Sequence, residues 1–354
     1  MWEGGDVLEA VLLVGGQGTR LRPLTVTTPK PMLPVAGVPC TEHQIARARE
    51  AGVTRVILGT SYKPEVFSEY FGDGSRFGVE LVYATEDVPL GTGGAIRHVA
   101  PFLESDPDAP ILIFNGDVLS GHDIAGQVQR WRDDAADVSL YLTRVDDPRA
   151  YGLVPTDHAG RVTAFLEKPK TDEEIVTKNI NAGCYVFRRS VIDSIPAGRS
   201  VSVERETFPG LLSSGALVTG VVDSGYWLDL GTPLSFVQGS CDLVLGSAPS
   251  PAVPETGDFL ALPGSSIADS AQVHGGTCVG RGAVVFDGAE IGEGAHVVNS
   301  IVGAGAVVGA GTVLTGAVIG DGAQIGRGNE LLTGVRVWPG AHIADGSVRF
   351  SSDA

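Results

Sequence analysis

From Ile267 to Ile343 an aliphatic residue returns every six positions, and no other feature of the chain narrows its possible folds as much. Ile267, Val273, Val279, Val285, Ile291 and Val297 keep strict spacing. The series continues through Val302, Val308, Leu314, Ile319, Ile325, Leu331, Val337 and Ile343, slipping by one residue at Val302 and again at Ile319. A period of six fits neither the 3.6 of a helix nor the 2 of a half-buried strand. It fits a β-solenoid in which each hexapeptide forms one flat face, three faces make a triangular coil, and the aliphatic residue points inward. Small residues follow at the corners, as in Val279-Gly280, Ile291-Gly292 and Ile325-Gly326. The span predicts four to five coils, with the slips as corner adjustments. A solenoid leaves an open end and an exposed face, which suits assembly into a homo-oligomer.

The first 240 or so residues follow another rule. Short apolar runs at Val11–Val14, Val53–Leu58, Val79–Tyr83, Ile111–Phe114 and Val138–Thr143 read as strands. Helical patterns at Glu42–Glu50, Glu65–Tyr70 and Asp123–Trp131 alternate with them. That alternation predicts an α/β layer with a mostly parallel sheet, whose ligands bind beyond the carboxyl ends of the strands. The loops after Val14 and Phe114 therefore carry most weight. Pro- and Ser-rich sequence from about Gly246 to Gly264 reads as a linker. The expected domains are residues 1–245, a linker at 246–264, and a repeat domain at 265–354.

The first loop reads Gly15-Gly16-Gln17-Gly18-Thr19-Arg20-Leu21-Arg22-Pro23 and runs on to Pro29-Lys30-Pro31. Its glycines would let backbone N–H groups come close to phosphate. It is not G-x-G-x-x-G, because Leu21 stands at the third glycine, and no Gly-Lys-Ser/Thr makes it a Walker loop. What distinguishes it is the cationic pair: Arg20 with a planar fork, and Lys30 between two prolines. The formal net charge of −17 makes such local cations necessary for an anionic substrate, and argues against nucleic acid or an anionic membrane as partner. The acidic N-terminus has no apolar leader and no stretch is apolar enough for a bilayer, so a cytoplasmic protein is expected. Cys40, Cys184, Cys241 and Cys278 have neither C-x-x-C nor zinc spacing and read as small buried residues. Asp117 and Asp229 each fit a cap or turn as well as a metal ligand, and Glu167-Lys168-Pro169 fits an ordinary surface turn. Glu204-Arg205-Glu206 reads as a salt-bridged surface run. His274, His296 and His342 lie in the repeat, where an acyl-transfer role is weighed and set aside. Trp338 reads as a core or interface residue.

The combination Gly16-x-Gly18-Thr19-Arg20-Leu21-x-Pro23-x-Thr25 with Pro29-Lys30-Pro31 resembles the signature of the nucleoside-diphosphate-sugar pyrophosphorylases, the sugar-1-phosphate nucleotidylyltransferases. Leu90-Gly91-Thr92-Gly93-Gly94 resembles their nucleobase loop, and Asn115-Gly116-Asp117 their metal loop. Tyr151-Gly152, Glu167-Lys168-Pro169 and Asn181-Ala182-Gly183 resemble sugar-binding segments, and Tyr226-Trp227-x-Asp229-x-Gly231-Thr232-Pro233 a second metal segment. The resemblance implies a Rossmann-like nucleotidyltransferase domain with a mixed, mostly parallel sheet, followed by a left-handed β-helix. It implies Arg20, Lys30 and Asp117 as catalytic residues. Val14, Gly15, Gly16, Gly18, Thr19, Gly91, Thr92 and Gly93 would bind nucleotide. Gly152, Glu167, Lys168, Asn181 and Gly183 would bind the sugar phosphate, and Asp117 with Asp229 would hold Mg²⁺. Two carboxylates plus phosphate oxygens suit that ion. The chain is most similar to actinobacterial mannose-1-phosphate guanylyltransferases, which implies GTP and mannose 1-phosphate as substrates. Glucose 1-phosphate with UTP, dTTP or ATP, guanylyl transfer to a cyclitol phosphate, and a catalytically silent subunit are the alternatives.

Overall fold

The computed structural model describes residues 8–16, 18–22, 25, 28–253 and 266–349. Gln17 and Pro23 of the loop, Pro254 and Pro263-Gly264 of the expected linker, and the tail Ser351-Ser352-Asp353 lie outside the described residues. The chain divides into two compact units interleaved in sequence, Met1–Gly16 with Gln44–Trp227, and Gln17–His43 with Leu228–Ala354. The cationic part of the loop thus belongs to the unit that holds the repeats.

The first unit is built on a nine-stranded mixed sheet. Strands Glu80–Thr85, Val53–Thr60, Leu8–Leu13 and Pro110–Asn115 run parallel in that spatial order. Asn179–Arg188 follows antiparallel, then Val138–Arg144 antiparallel to it, and Val218–Val222 parallel to that. Val11, Ile57, Ile111 and Ile113 are fully buried, as unbroken apolar runs in covered strands should be. Helix Ile124–Asp133 starts where Asp123 accepts from the Gly126 N–H at 2.9 Å, an N-cap. Because Leu8–Leu13 and Pro110–Asn115 are parallel neighbours, their carboxyl ends deliver Val14–Gly16 and Gly116-Asp117 to the same sheet edge. Gly116 N–H donates to Leu13 O at 3.1 Å.

In the second unit the repeats form three parallel sheets of five, five and four short strands, a parallel β-helix of four full coils and part of a fifth. Coils advance 18 residues from Ser266 to Val284, but 17 from Val284 to Ile301 and from Ile301 to Val318. These short coils are the two slips in the sequence period. Asn299 (φ 45°) and Gly316 (φ 64°) turn the shortened corners. Val285, Ile291, Val297, Val302, Val308 and Leu314 fill the interior, with alanines such as Ala289 and Ala306 between them. Helix Pro233–Val244 begins in a capping box of Thr232 and Ser235. It packs on the coils through Cys241, whose thiol donates to Gly282 O at 3.1 Å. Cys40, Cys184 and Cys241 are buried, Cys278 is partly so, and none forms a disulfide. Trp338 is 58 % exposed and takes no part in the core. His274 sits on the solenoid surface, paired with Glu290 at 3.1 Å. Among the described residues no helix is long and apolar enough to cross a membrane.

Candidate active site

The second unit brings three charged groups, Arg20, Lys30 and Asp229, together. Gly18 adopts φ 60°, and a Cβ there would lie 2.5 Å from the Cβ of Lys30 and 3.1 Å from Cγ2 of Thr25. Only glycine lets the turn at Thr19–Leu21 close against Lys30. Thr25 Oγ1 donates to Gly18 O at 2.8 Å and fastens the return. Pro29 and Pro31 flank the Lys30 turn, and Thr41 Oγ1 donates to Pro31 O at 3.0 Å. Lys30 is buried, with its Nζ 3.8 Å from Asp229 Oδ1. A Cβ at Gly231 would lie 3.0 Å from Asp229 Oδ1 and 3.1 Å from Arg20 Nη2. Arg20, Lys30 and Asp229 therefore converge, Arg20 and Thr19 on the exposed side. This is a cationic locus with a carboxylate beside it.

In the first unit, Val14 is fully buried and the strand opens into Gly15 and Gly16. Gly15 has a packing cause, since a Cβ would lie 2.6 Å from Ser61 Oγ, which donates to Gly15 O at 2.7 Å. Gly16 shows none: among the described residues nothing lies within 4 Å of a Cβ there. Asp117 stands in the turn after Pro110–Asn115, half-buried. Gln44 straddles that turn, its Nε2 donating to Asn115 O at 2.8 Å and Val118 O at 3.0 Å.

Gly91–Gly94 is not a loop but the first turn of helix Gly91–His98. Gly93 and Gly94 N–H both donate to Val201 O, at 2.8 and 3.2 Å. A Cβ at Gly91 would lie 2.7 Å from Val201 O, and one at Gly93 2.9 Å from Val201 Cγ1. The glycines let this turn dock on the segment at Val201, and the Gly93 N–H expected to hold nucleotide is committed there.

A cavity of about 170 Å³ in the same unit brings Gly152, Glu167, Lys168 and Asn181 together with Asn115 and Glu204. Gly152 pairs with Glu167 across a short antiparallel ladder, where a Cβ would lie 3.0 Å from Glu167 Oε2. Lys168 (φ 50°) points its Nζ within 3.7 Å of Glu167 Oε1. The ladder between Asn179–Arg188 and its neighbour breaks register between Asn181 and Tyr185, a bulge that re-aims side chains. Within it Gly183 (φ 78°) approaches Asn115, 3.0 Å from its Nδ2 at the Cβ position. Asn181 Nδ2 donates to the Tyr185 hydroxyl at 2.9 Å. Trp227 Nε1 donates to Ala182 O at 3.0 Å, and Tyr151 packs edge-on against Trp227.

The first unit thus carries a glycine loop, a carboxylate at the adjacent strand end and a polar pocket. The nucleotidyl transferase family matches residues 9–244. The chain belongs to that family. The mannose-1-phosphate guanylyltransferase of Mycobacterium tuberculosis is 55 % identical over 359 residues, covering 98 % of each chain. The mannose-1-phosphate guanylyltransferase catalytic subunit beta of Drosophila pseudoobscura pseudoobscura is 34 % identical, covering 77 % of this chain and 72 % of that one. Among solved structures, HddC of Yersinia pseudotuberculosis aligns with a TM-score of 0.58 at 26 % identity, over 67 % of this chain and all of HddC. A second HddC structure, complexed with GMP-PN, aligns with a TM-score of 0.57.

The structure also places beside these site residues others that the motifs do not mark. Gln44 braces the turn carrying Asp117, yet in sequence it is one polar residue in a helix. Tyr185 is completely buried, its phenol pushed up by burial and then by the charge of Glu204. Glu204, read from sequence as part of a surface run, lines the cavity.

Proposed function

We propose that the chain transfers the guanylyl group of GTP to mannose 1-phosphate, giving GDP-mannose and pyrophosphate. The chemistry rests on Arg20 and Asp229 beside Gly231, with Lys30 Nζ 3.8 Å from Asp229 Oδ1. The choice of substrates is supported by 55 % identity along 98 % of the mycobacterial guanylyltransferase. An oxygen of the sugar phosphate attacks the α-phosphorus in line, the α–β bridging P–O bond breaks, and its electron pair leaves on pyrophosphate. No protein nucleophile is needed, so catalysis is positioning and charge stabilisation.

Arg20, exposed and forked, takes the departing pyrophosphate, and Lys30, held by its prolines and Gly18, binds phosphate on the nucleotide side. Val14 to Gly16, with Gly18 and Thr19, carry the backbone past the phosphates, Gly16 most closely. Gly91 and Thr92 face the base, with Gly93 anchoring them. Glu167 and Asn181 accept from and donate to sugar hydroxyls beside Gly152 and Gly183, and Lys168 meets the sugar phosphate. Asp117 and Asp229 are hard oxygen donors of the kind Mg²⁺ takes, and they are the residues that would hold it, with phosphate and water oxygens completing its shell. When bound there, the ion neutralises charge on the reacting phosphates. The exposed Trp338 and Leu332 make the solenoid the face for self-assembly.

Arg20→Ala and Asp117→Ala should each lower kcat by two or more orders of magnitude, about 3 kcal/mol, with unchanged melting temperature. Pyrophosphate release measures this, and near-normal turnover by folded Asp117→Ala protein would remove the assignment.

A further inference from the structure

We infer that Glu204 is a positioning residue shared by the base and sugar subsites, set by Thr92, so that filling one subsite tightens the other. This rests on the function proposed above. Residues 202–207 form a tight π-type turn opened by Ser202, whose hydroxyl accepts from Arg205 N–H at 3.2 Å. Arg199 holds Glu206 on the outside at 2.8 Å, while Glu204 turns inward to the cavity.

Donor chemistry fixes its orientation. Val203 N–H donates to Thr92 Oγ1 at 2.9 Å, and a backbone N–H can only donate. The Thr92 hydroxyl proton is therefore directed at Glu204 Oε2, 3.0 Å away. Ser202 repeats the arrangement: it receives from Arg205 and gives its proton to the same Oε2 at 3.1 Å. Two hydroxyls thus hold one carboxylate oxygen and set the rotamer that the cavity sees.

The turn and the base segment are also joined through their backbones. Gly93 and Gly94 donate to Val201 O, and Val201 N–H donates to Leu90 O at 2.8 Å. A ligand that orders Gly91–Gly93 consequently orders Glu204. On the sugar side, Glu204 lines the same cavity as Asn181 and Asn115, which both donate to the Tyr185 hydroxyl, at 2.9 and 3.5 Å. One carboxylate connects a threonine of the base segment with the asparagines of the pocket. Coupling through such a shared element must be reciprocal.

The test is calorimetry on the full chain with Mg²⁺. Mannose 1-phosphate is titrated with and without a saturating GTP analogue whose α,β-bridge is methylene and cannot be cleaved. The wild type should bind the sugar phosphate about tenfold more tightly with the analogue present. The reverse titration should give the same factor. Thr92→Ser should keep the ratio, and Thr92→Val and Glu204→Ala should each bring it near one. The double variant should lose nothing more. If Thr92→Val fails to fold, Glu204→Ala decides. A wild-type ratio of one, or a ratio preserved in Glu204→Ala, overturns the inference. Failure of the wild type to bind either ligand overturns the functional reading instead.

Discussion

Gly16 and Gly18 stand two positions apart and do different work. Gly18→Ala forces a side chain onto a left-handed backbone and against Lys30. It should cost about 1–2 kcal/mol of stability and, by displacing Lys30, lower kcat at least tenfold. Gly16→Ala meets no neighbour among the described residues, so its melting temperature should be unchanged while KM for the nucleotide rises. Thermal unfolding and steady-state kinetics on the pair separate the packing glycine from the ligand glycine. Sequence shows both as loop glycines and cannot tell them apart, because the atoms that decide lie far along the chain. Ser61 decides for Gly15, Lys30 for Gly18, and Val201 for Gly93. The charged residues were easier to read. Arg20, Lys30 and Asp229 are marked by their prolines, glycines and aromatic neighbours in sequence, and the fold gathers them.

At the scale of elements, periodicity located the strands and helices closely. The helix read at Glu42–Glu50 runs Cys40–Glu50, and the strand read at Ile111–Phe114 runs Pro110–Asn115. Gly91–Gly94 was not legible as a helix start, since glycine has poor helix propensity and the stabilising acceptor is Val201 O. The inward turn at Glu204 was hidden for a similar reason: its charge pattern alone suits an exposed face. The segment ending in His43 gives a pH prediction. His43 is buried, its Nε2–H donating to Val35 O at 2.8 Å and its Nδ1 accepting from Ser250 at 2.6 Å. Burial lowers its pKa from 6.5 to about 4. Burial lowers His122, stacked on Tyr141, to about 4 as well. Between these values the unfolded chain binds more protons than the folded one. Stability is therefore full above pH 6.5 and is lost as pH falls towards 4, by about 3 kcal/mol per histidine. Melting temperature across that window measures it, and His43→Gln should flatten the slope.

At the scale of the whole molecule, the hexapeptide period announced the solenoid, and the slips in the period are its short coils. Consecutive domains were the natural reading of the sequence, because nothing local in residues 17–43 marks them as partners of the repeats. They pack on helix Pro233–Val244 and the segment after it, through Ala36 N–H, which donates to Ser240 Oγ at 3.4 Å, and through His43 on Ser250. Truncation after residue 245 removes the coil that covers Cys241 and helix Pro233–Val244. The product should lose solubility or melt well below the full chain, and lose activity as the Lys30 segment loosens. Light scattering of the full chain should show an oligomer, smaller after Trp338→Glu. The central claim is tested most directly by measuring pyrophosphate release from the full chain with Mg²⁺, each NTP and a panel of sugar 1-phosphates. The account predicts release with GTP and mannose 1-phosphate, abolished by omitting either. Release with UTP and glucose 1-phosphate but not with that pair would contradict the substrates, and no release with any pair would contradict the enzyme.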